Sequence, residues 1–134
     1  MLLRRRNPLS RWVTAGLLSA ASTPCLAFDD REFCAAIQQL AVAAERDVGL
    51  WIDRATRNAG IAVYCDRKLV EFKRFTYAPS TSMDQAWRER AAEQWNANHC
   101  SNPVWADAIR NDWRIALVTT AADGVQATTS AHCR

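Results

Sequence analysis

The stretch "IAVYCDRKLVEFKRF", residues 61–75, decides the fold that we expect for this chain of 134 residues. Ile61, Val63 and Cys65 occupy every second position, so an extended backbone places them on one face of a strand. Residues 66–68 are all charged and interrupt the apolar pattern before it resumes. This arrangement predicts a β-hairpin with a polar turn.

The second strand of this hairpin, residues 69–77, changes face part of the way along. Its apolar side chains alternate up to Phe72, and the alternation then resumes one position out of step at Phe75. An extra residue that bulges from a strand moves the side chains after it to the opposite face. We therefore expect a bulge near Lys73 and Arg74.

Three helices are predicted around this hairpin, two of them from capping patterns. Asp29 and Ser82 are each followed three residues later by Glu or Gln, which is the spacing of a capping box. Pro103 suits the first turn of a short helix. The predicted helices cover residues 30–46, from Ser82 to about Asn98, and 103–110, the last capped by Ser101 or Asn102.

The last part of the chain predicts a second hairpin. Trp113, Ile115 and Leu117 occupy alternate positions, and Asp123-Gly124 is a strong turn signal. Residues 47–60 show no clean period and predict a connecting segment that ends at Gly60. The element order αββααββ predicts an α+β fold, with a four-stranded antiparallel sheet built from the two hairpins and helices on one face.

The first 27 residues have the layout of a cleavable secretory signal peptide. Arginines at 4, 5, 6 and 11 precede an apolar run of about ten residues, which is shorter than the roughly 20 that a membrane-spanning helix needs. Small residues stand three and one positions before the expected cleavage after Ala27. We predict a single mature domain, residues 28–134, that is periplasmic or secreted and has no stable membrane span.

Two other interpretations of this leader stay open. Cys25 raises the possibility of lipidation, although Ser22, Thr23 and Pro24 do not form the usual lipoprotein signal. The Arg5-Arg6 pair invites a twin-arginine interpretation, but the rest of that motif is missing. Ordinary export in the unfolded state is favoured, because the remaining cysteines need an oxidising compartment.

Cleavage after Ala27 leaves four cysteines, an even number that predicts a disulfide framework in a short exported chain. Four cysteines allow three pairings. Cys65 and Cys133 are predicted to point inward from strands. Cys34 and Cys100 are predicted to lie on the helices that cover the sheet. This argument favours two bridges, Cys65 with Cys133 and Cys34 with Cys100.

Zinc is the alternative use of these cysteines. His99 and His132 each directly precede a cysteine, and thiolate and imidazole are the ligands that zinc prefers. Neighbouring residues of a strand point to opposite faces, however, so His132 and Cys133 are poorly placed to share one ion. We favour structural disulfides and expect no metal or cofactor.

Charge and composition exclude several function classes. Four of the 17 basic residues lie in the leader, so the 14 acidic residues slightly outnumber the basic ones in the mature chain. This balance argues against nucleic acid and against an anionic membrane surface as partners. Five tryptophans remain, too many for full burial in so small a domain.

One stretch, "LWIDRATR" at residues 50–57, is a candidate binding surface. It places an aromatic side chain and charged side chains in an irregular connection, and such loops often recognise partners. The candidate residues are Trp51, Asp53, Arg54 and Arg57. A loop that merely closes over the edge of the core is the alternative. A basic group in the first hairpin, Arg67, Lys68, Lys73 and Arg74, is better explained as a charged, aggregation-resistant edge.

A catalytic constellation is not visible in the sequence. No serine lies in a Gly-x-Ser-x-Gly motif, and no Cys-x-x-Cys pair or Gly-rich phosphate loop occurs. Three carboxylates, Glu71, Glu89 and Glu93, leave open a small hydrolase of peptidoglycan or another glycan. The sequence favours a protein that is not an enzyme.

The chain also resembles small exported bacterial envelope proteins that mostly lack an assigned activity. The resemblance covers residues 50–133 and rests on Ile52-Asp53, Thr56-Arg57, Cys100 and the hairpin around Asp123-Gly124. The tryptophan-rich helices and the hairpin of the opening stretch depart from that pattern. The resemblance implies an envelope location and an α+β fold, and it transfers no catalytic residue.

These features together favour an exported, non-enzymatic protein that binds another envelope or secreted protein. An inhibitor or immunity protein and an accessory of a secretion apparatus both fit this description. A purely structural component of the envelope is a third possibility. The identity of the partner and the oligomeric state do not follow from the sequence.

Overall fold

Three α-helices and four β-strands make up residues 27–134, the part of the chain that this computed structural model describes. The predicted signal peptide lies, except for Ala27, outside the described residues. Short 3-10 turns follow α1, β1 and β2. In chain order the elements are α1 (Asp30–Ala44), β1 (Thr56–Tyr64), β2 (Leu69–Thr76), α2 (Gln85–Cys100), α3 (Pro103–Arg110), β3 (Arg114–Thr120) and β4 (Gln126–Ser130).

Polar side chains cap the start of each helix. A carboxylate oxygen of Asp29 accepts hydrogen bonds from the backbone N–H groups of Arg31 and Glu32, at 2.8 and 3.1 Å. Asn102 caps α3, with Pro103 at its first position. α2 begins later than predicted, because Asp84 rather than Ser82 accepts from the backbone at the helix start. These contacts satisfy backbone donors that have no partner within the helix.

The sheet is mixed, so the prediction of a purely antiparallel sheet is wrong. The strands lie in the order β1-β2-β3-β4, with antiparallel pairs at both edges and a parallel pair, β2 with β3, in the centre. α2 and α3 together form the connection from β2 to β3. Such a crossover returns the chain to the end of the sheet where β2 began, and β3 then runs in the same direction as β2.

The bulge lies in β1 instead of at the predicted position in β2. The register shifts between Asn58 and Gly60, which pair with Arg74 and Lys73. Gly60 has a φ of 98°, a conformation that suits glycine, and its N–H donates to the side chain of Asn58 at 2.8 Å. β1 therefore begins at Thr56, and Gly60 lies inside the strand that it was expected to precede.

All three helices pack on one face of the sheet. Phe33 and Ile37 of α1, together with Trp113 before β3, contact Val70 and Ile115 of the central strands in one buried cluster. α2 and α3 add large aromatic side chains to the same cluster. Successive side chains of a strand point to opposite faces. The alternate positions of the strands therefore form a second face, which the helices do not cover.

The disulfides are Cys34–Cys65 and Cys100–Cys133, with Cα–Cα distances of 5.8 and 5.3 Å. The predicted pairs, Cys65 with Cys133 and Cys34 with Cys100, are wrong. β1 and β4 lie at opposite edges of the sheet. Three strand spacings amount to about 14 Å, whereas bridged Cα atoms lie within about 7 Å of each other. Each bridge instead joins a helix to the segment that directly follows the edge strand beside it.

Removing either bridge is expected to lower the free energy of unfolding by about 3 to 4 kcal/mol, because each closes a long loop in the unfolded chain. The sequence separations of 31 and 33 residues are nearly equal, so the two losses should be similar. Urea unfolding of the double variants Cys34→Ala/Cys65→Ala and Cys100→Ala/Cys133→Ala measures them. Non-reducing peptide mapping is the control. A peptide that links Cys65 to Cys133 would contradict this fold.

Candidate functional site

Residues 49–58 form a short hairpin that extends the sheet beside the start of β1, and we call it the Trp51 hairpin. The N–H of Asn58 donates to the carbonyl of Leu50 at 2.9 Å, and the N–H of Ile52 donates to the carbonyl of Thr56 at 2.8 Å. The sequence predicted an irregular connection here. Leu50, Trp51 and Ile52 are consecutive apolar residues, so the alternation that identifies a strand is hidden.

The turn of this hairpin contains two of the predicted binding residues. A carboxylate oxygen of Asp53 accepts from the N–H of Ala55 at 2.8 Å. This hydrogen bond is the main reason that the pKa of Asp53 lies below its usual value. Arg54 lies at the tip and is exposed. Asp53 thus has a structural role in the turn, whereas Arg54 is available to solvent.

The side chain of Arg57 contacts two aromatic rings, which also contact each other. Its guanidinium carbon is 4.1 Å from the ring centre of Trp51 and 5.6 Å from that of Tyr77. The centres of these two rings are 5.5 Å apart, and Tyr77 in turn contacts Phe75 at 4.9 Å. We call Trp51, Arg57 and Tyr77 the hairpin stack. It lies at one corner of the sheet face that the helices leave uncovered, since Arg57 pairs with Phe75 across the strands.

The hairpin stack is largely open to solvent. Trp51 is 54% exposed and Tyr77 is 52% exposed. Leu50 and Ile52, which alternate with Trp51 and so flank it on the other face of the hairpin, are exposed to a similar degree. Large apolar side chains gathered at one exposed site commonly mark an interaction surface. Tryptophan, tyrosine and arginine are also the residues that contribute most to binding at protein interfaces.

One hydrogen-bond donor of the Arg57 side chain has no partner among the described residues. Its Nε is buried and has no hydrogen-bond partner within residues 27–134. An unpaired buried donor costs about 1 to 3 kcal/mol, which exceeds the 0.5 to 1 kcal/mol that an exposed cation–π contact contributes. This cost offsets what the cation–π contact with Trp51 contributes to the stability of the isolated chain.

The structure thus brings together only part of the predicted surface. Trp51 and Arg57 are in contact, while Asp53 and Arg54 lie in the turn beside them. Tyr77 was missed, because its contact with Arg57 crosses two strands and leaves no local signal in the sequence. The only available signal was the alternation of Phe75 and Tyr77 at the end of the second strand.

The basic side chains of the first hairpin do not form one surface. Arg67 lies 4.1 Å from the ring centre of Tyr64, and Lys68 pairs with Asp30 at 2.7 Å. Lys73 lies 3.6 Å from Glu71, and the Nε of Arg74 donates to the hydroxyl of Thr119 at 2.9 Å. Each charge thus has its own local environment, and a shared basic patch is not formed.

In the hydrolase hypothesis, Glu71 is separated from the other two carboxylates, Glu89 and Glu93. Glu71 lies on the uncovered face of the sheet, beside Lys73. Glu89 and Glu93 are exposed on α2, which packs on the opposite face. Two carboxylates that cleave a glycosidic bond must flank it at about 5 to 10 Å. Glu71 therefore has no partner among the carboxylates of α2.

His99 is a core residue in this fold. It is 7% exposed and packs against Trp95, Phe72 and Trp105. Its Nδ1 donates to the carbonyl of Trp95 at 2.9 Å. Burial lowers the pKa of His99, and this hydrogen bond opposes part of the shift. Within residues 27–134, no three His, Cys, Asp or Glu side chains are grouped to hold a metal ion.

The described residues therefore define a small α+β domain with a mixed sheet, two disulfides and an exposed aromatic–arginine stack. No protein-family model matches the chain, and no curated protein matches it significantly. The fold is similar to that of a "putative secreted protein" from Pseudomonas aeruginosa, with a TM-score of 0.60 over 75% of this chain and 89% of that chain. The sequence identity is 14%, so the likeness shows a common fold. None of the helices between residues 27 and 134 has the length and apolar character to cross a bilayer.

Replacing Arg57 by methionine is expected to leave the free energy of unfolding unchanged or to raise it by about 1 kcal/mol, because the unpaired Nε is removed. Arg67 is a matched control, since its guanidinium also lies 4.1 Å from an aromatic ring. Arg67→Met should lower stability by about 0.5 to 1 kcal/mol through loss of that contact. Urea unfolding compares the two. A larger loss for Arg57→Met would assign Arg57 a structural role.

Stability should decrease as the pH falls below about 6.5, the ordinary pKa of histidine. The folded state holds His99 neutral, so between its lowered pKa and about 6.5 the unfolded chain binds the extra proton. The contribution of His99 to the free energy of unfolding is fully present above this window. It is lost as the pH falls through the window. Urea unfolding from about pH 7.5 to 5.5 should show a smaller decline for His99→Gln. His132→Gln is the control for removal of a histidine at an exposed position.

Proposed function

We propose that this chain is an exported protein of the periplasm or the extracellular medium that binds another protein through the hairpin stack. Its mature part, residues 28–134, is a single domain released by cleavage after Ala27. Two disulfides support this location, because such bridges persist in oxidising compartments. The structural neighbour is described as a secreted protein, which fits the same location. The resemblance of the sequence to exported envelope proteins fits it as well.

The observation that carries the binding proposal is the exposed contact of Arg57 with Trp51 and Tyr77. Two broad rings held in a fixed orientation offer contact area at little entropic loss. The guanidinium of Arg57 contacts both rings, and its two terminal nitrogens can donate hydrogen bonds to a partner. A partner could place a carboxylate or carbonyl against Arg57 and an apolar surface against Trp51. The oxygen would then accept hydrogen bonds from the guanidinium, and the apolar surface would cover the exposed indole ring.

The same geometry describes the partner surface that we expect. A protein partner would present an apolar recess of the size of an indole ring, bordered by an acidic side chain. Desolvation at such an interface strengthens the contact between guanidinium and carboxylate. The two classes of partner that we propose are an inhibited enzyme and a component of a secretion apparatus.

Affinity capture from envelope and secreted fractions, followed by reconstitution of the purified pair, tests the proposal. Trp51→Ala is expected to weaken the reconstituted complex by at least about tenfold, since a truncated hot-spot residue costs about 2 kcal/mol or more. Tyr64→Ala at the other stack, with Arg67, is the matched control and should leave affinity within about twofold.

Circular dichroism must show that both variants remain folded. Equal loss of affinity in Trp51→Ala and Tyr64→Ala would place the interface elsewhere on the uncovered sheet face. Unchanged affinity in Trp51→Ala together with Arg57→Ala would reject the hairpin stack as the binding surface.

A further inference from the structure

A small polar cavity lies on the helix-covered side of the sheet, behind the turn of the Trp51 hairpin. Its volume is about 80 Å³, enough for several water molecules. Strand residues form one side, and the segment that leads into α2 forms the other. The residues that matter for its chemistry are Asp53, Arg74, Thr76, Met83, Trp87 and Thr119.

Arg74 is the charged group of this cavity. Its Nε donates to the hydroxyl of Thr119 at 2.9 Å. Among residues 27–134, its two terminal nitrogens have no hydrogen-bond partner, and no carboxylate lies within ion-pair distance of them. Burial lowers the pKa of Arg74, and the charge of Asp53 offsets part of this effect. Partly buried cations are normally paired, so the unpaired terminal nitrogens leave room for an external anion.

The other side chains that line the cavity can bind a short carboxylic acid. Thr119 is 2% exposed, and its hydroxyl oxygen already accepts from Arg74, so its proton is available to a second acceptor. Thr76 is not available in the same way, because it accepts from the N–H of Ala78 and donates to the carbonyl of Ala55. Met83 and Trp87 give the cavity an apolar side.

We propose that this cavity binds a short aliphatic carboxylate, either a free acid or the side chain of an aspartate or glutamate. The two terminal nitrogens of a guanidinium match the two oxygens of a carboxylate in spacing and direction. Thr119 donates a further hydrogen bond to one oxygen. One or two methylene groups then pack against Met83 and Trp87.

Asp53 modulates the affinity of this site. Its carboxylate is held by the N–H of Ala55 at the surface and lines the same cavity as Arg74. A second carboxylate in the cavity is repelled by it. Neutralising Asp53 therefore strengthens binding, which is the opposite of what loss of a purely structural partner of Arg74 would do.

The test is a titration of the oxidised protein with propionate near neutral pH, followed by the NMR signal of the Trp87 indole. Propionamide, which has the same shape without the charge, is the ligand control. Affinity in the millimolar range is expected for so small a ligand. Arg74→Gln should weaken it by at least about tenfold, because a charge-assisted hydrogen bond is lost. Arg90→Gln, at an exposed position of α2, should change it by less than about twofold.

Asp53→Asn keeps the proposal falsifiable if Arg74→Gln fails to fold. It should tighten propionate binding by about threefold, through removal of one repulsive charge. Equal binding of propionate and propionamide, or no binding to the wild type and to Asp53→Asn, would overturn the proposal. Neither result bears on the hairpin stack, which lies on the opposite face, so this inference and the proposed function fail separately.

A second titration separates the two sources of the carboxylate. Glutamate blocked by acetyl and amide groups presents only its side chain, and blocked glutamine is its neutral control. Binding of blocked glutamate at least as tight as that of propionate supports a protein side chain as the ligand. Binding of propionate alone supports a free acid. Binding of neither overturns the site.

Discussion

The parallel pairing of the two central strands determines the rest of the architecture. Val70 lies opposite Ile115, and Phe72 lies opposite Leu117, so the apolar positions of β2 and β3 coincide in register. Parallel neighbours need a crossover, and here α2 and α3 supply it. Because the crossover packs on the same face as α1, one side of the sheet becomes the core and the other stays open.

The uncovered face and the hairpin stack follow from this arrangement. Arg57 pairs with Phe75 at the start of β1, before the bulge. Its side chain therefore lies on the sheet face that the helices do not cover. Arg74, one strand away, contacts Thr119 on the helix side. Two arginines at the same corner of the sheet thus serve different surfaces. One is displayed on aromatic rings, and the other lies within a polar cavity.

Some local features were predictable from the sequence, although the cap of α2 and the bulge were misplaced, and contacts between distant residues were not predictable. The caps at Asp29 and Asn102 and the turn at Asp123-Gly124 depend on neighbouring side chains, which a sequence displays directly. The parallel pairing and the partners of Cys65 and Cys133 depend on the order of strands, which no short pattern encodes. Residue type drew attention to Trp51 and Arg57, whereas the contact of Tyr77 with Arg57 required the cross-strand geometry. No pattern in the sequence indicated the cavity around Arg74, because Thr119 lies 45 positions away along the chain.

The two disulfides divide the backbone into two closed rings joined by the stretch between Cys65 and Cys100. Tension applied to the chain ends passes through the sulfur bridges, so residues inside each ring carry none of it. Of the strands β1 to β4, only β2 can then be drawn out, together with most of α2. Each ring also presents two strands of backbone at once to any narrow opening. A channel that admits only one extended strand would therefore accept this chain only before the bridges form.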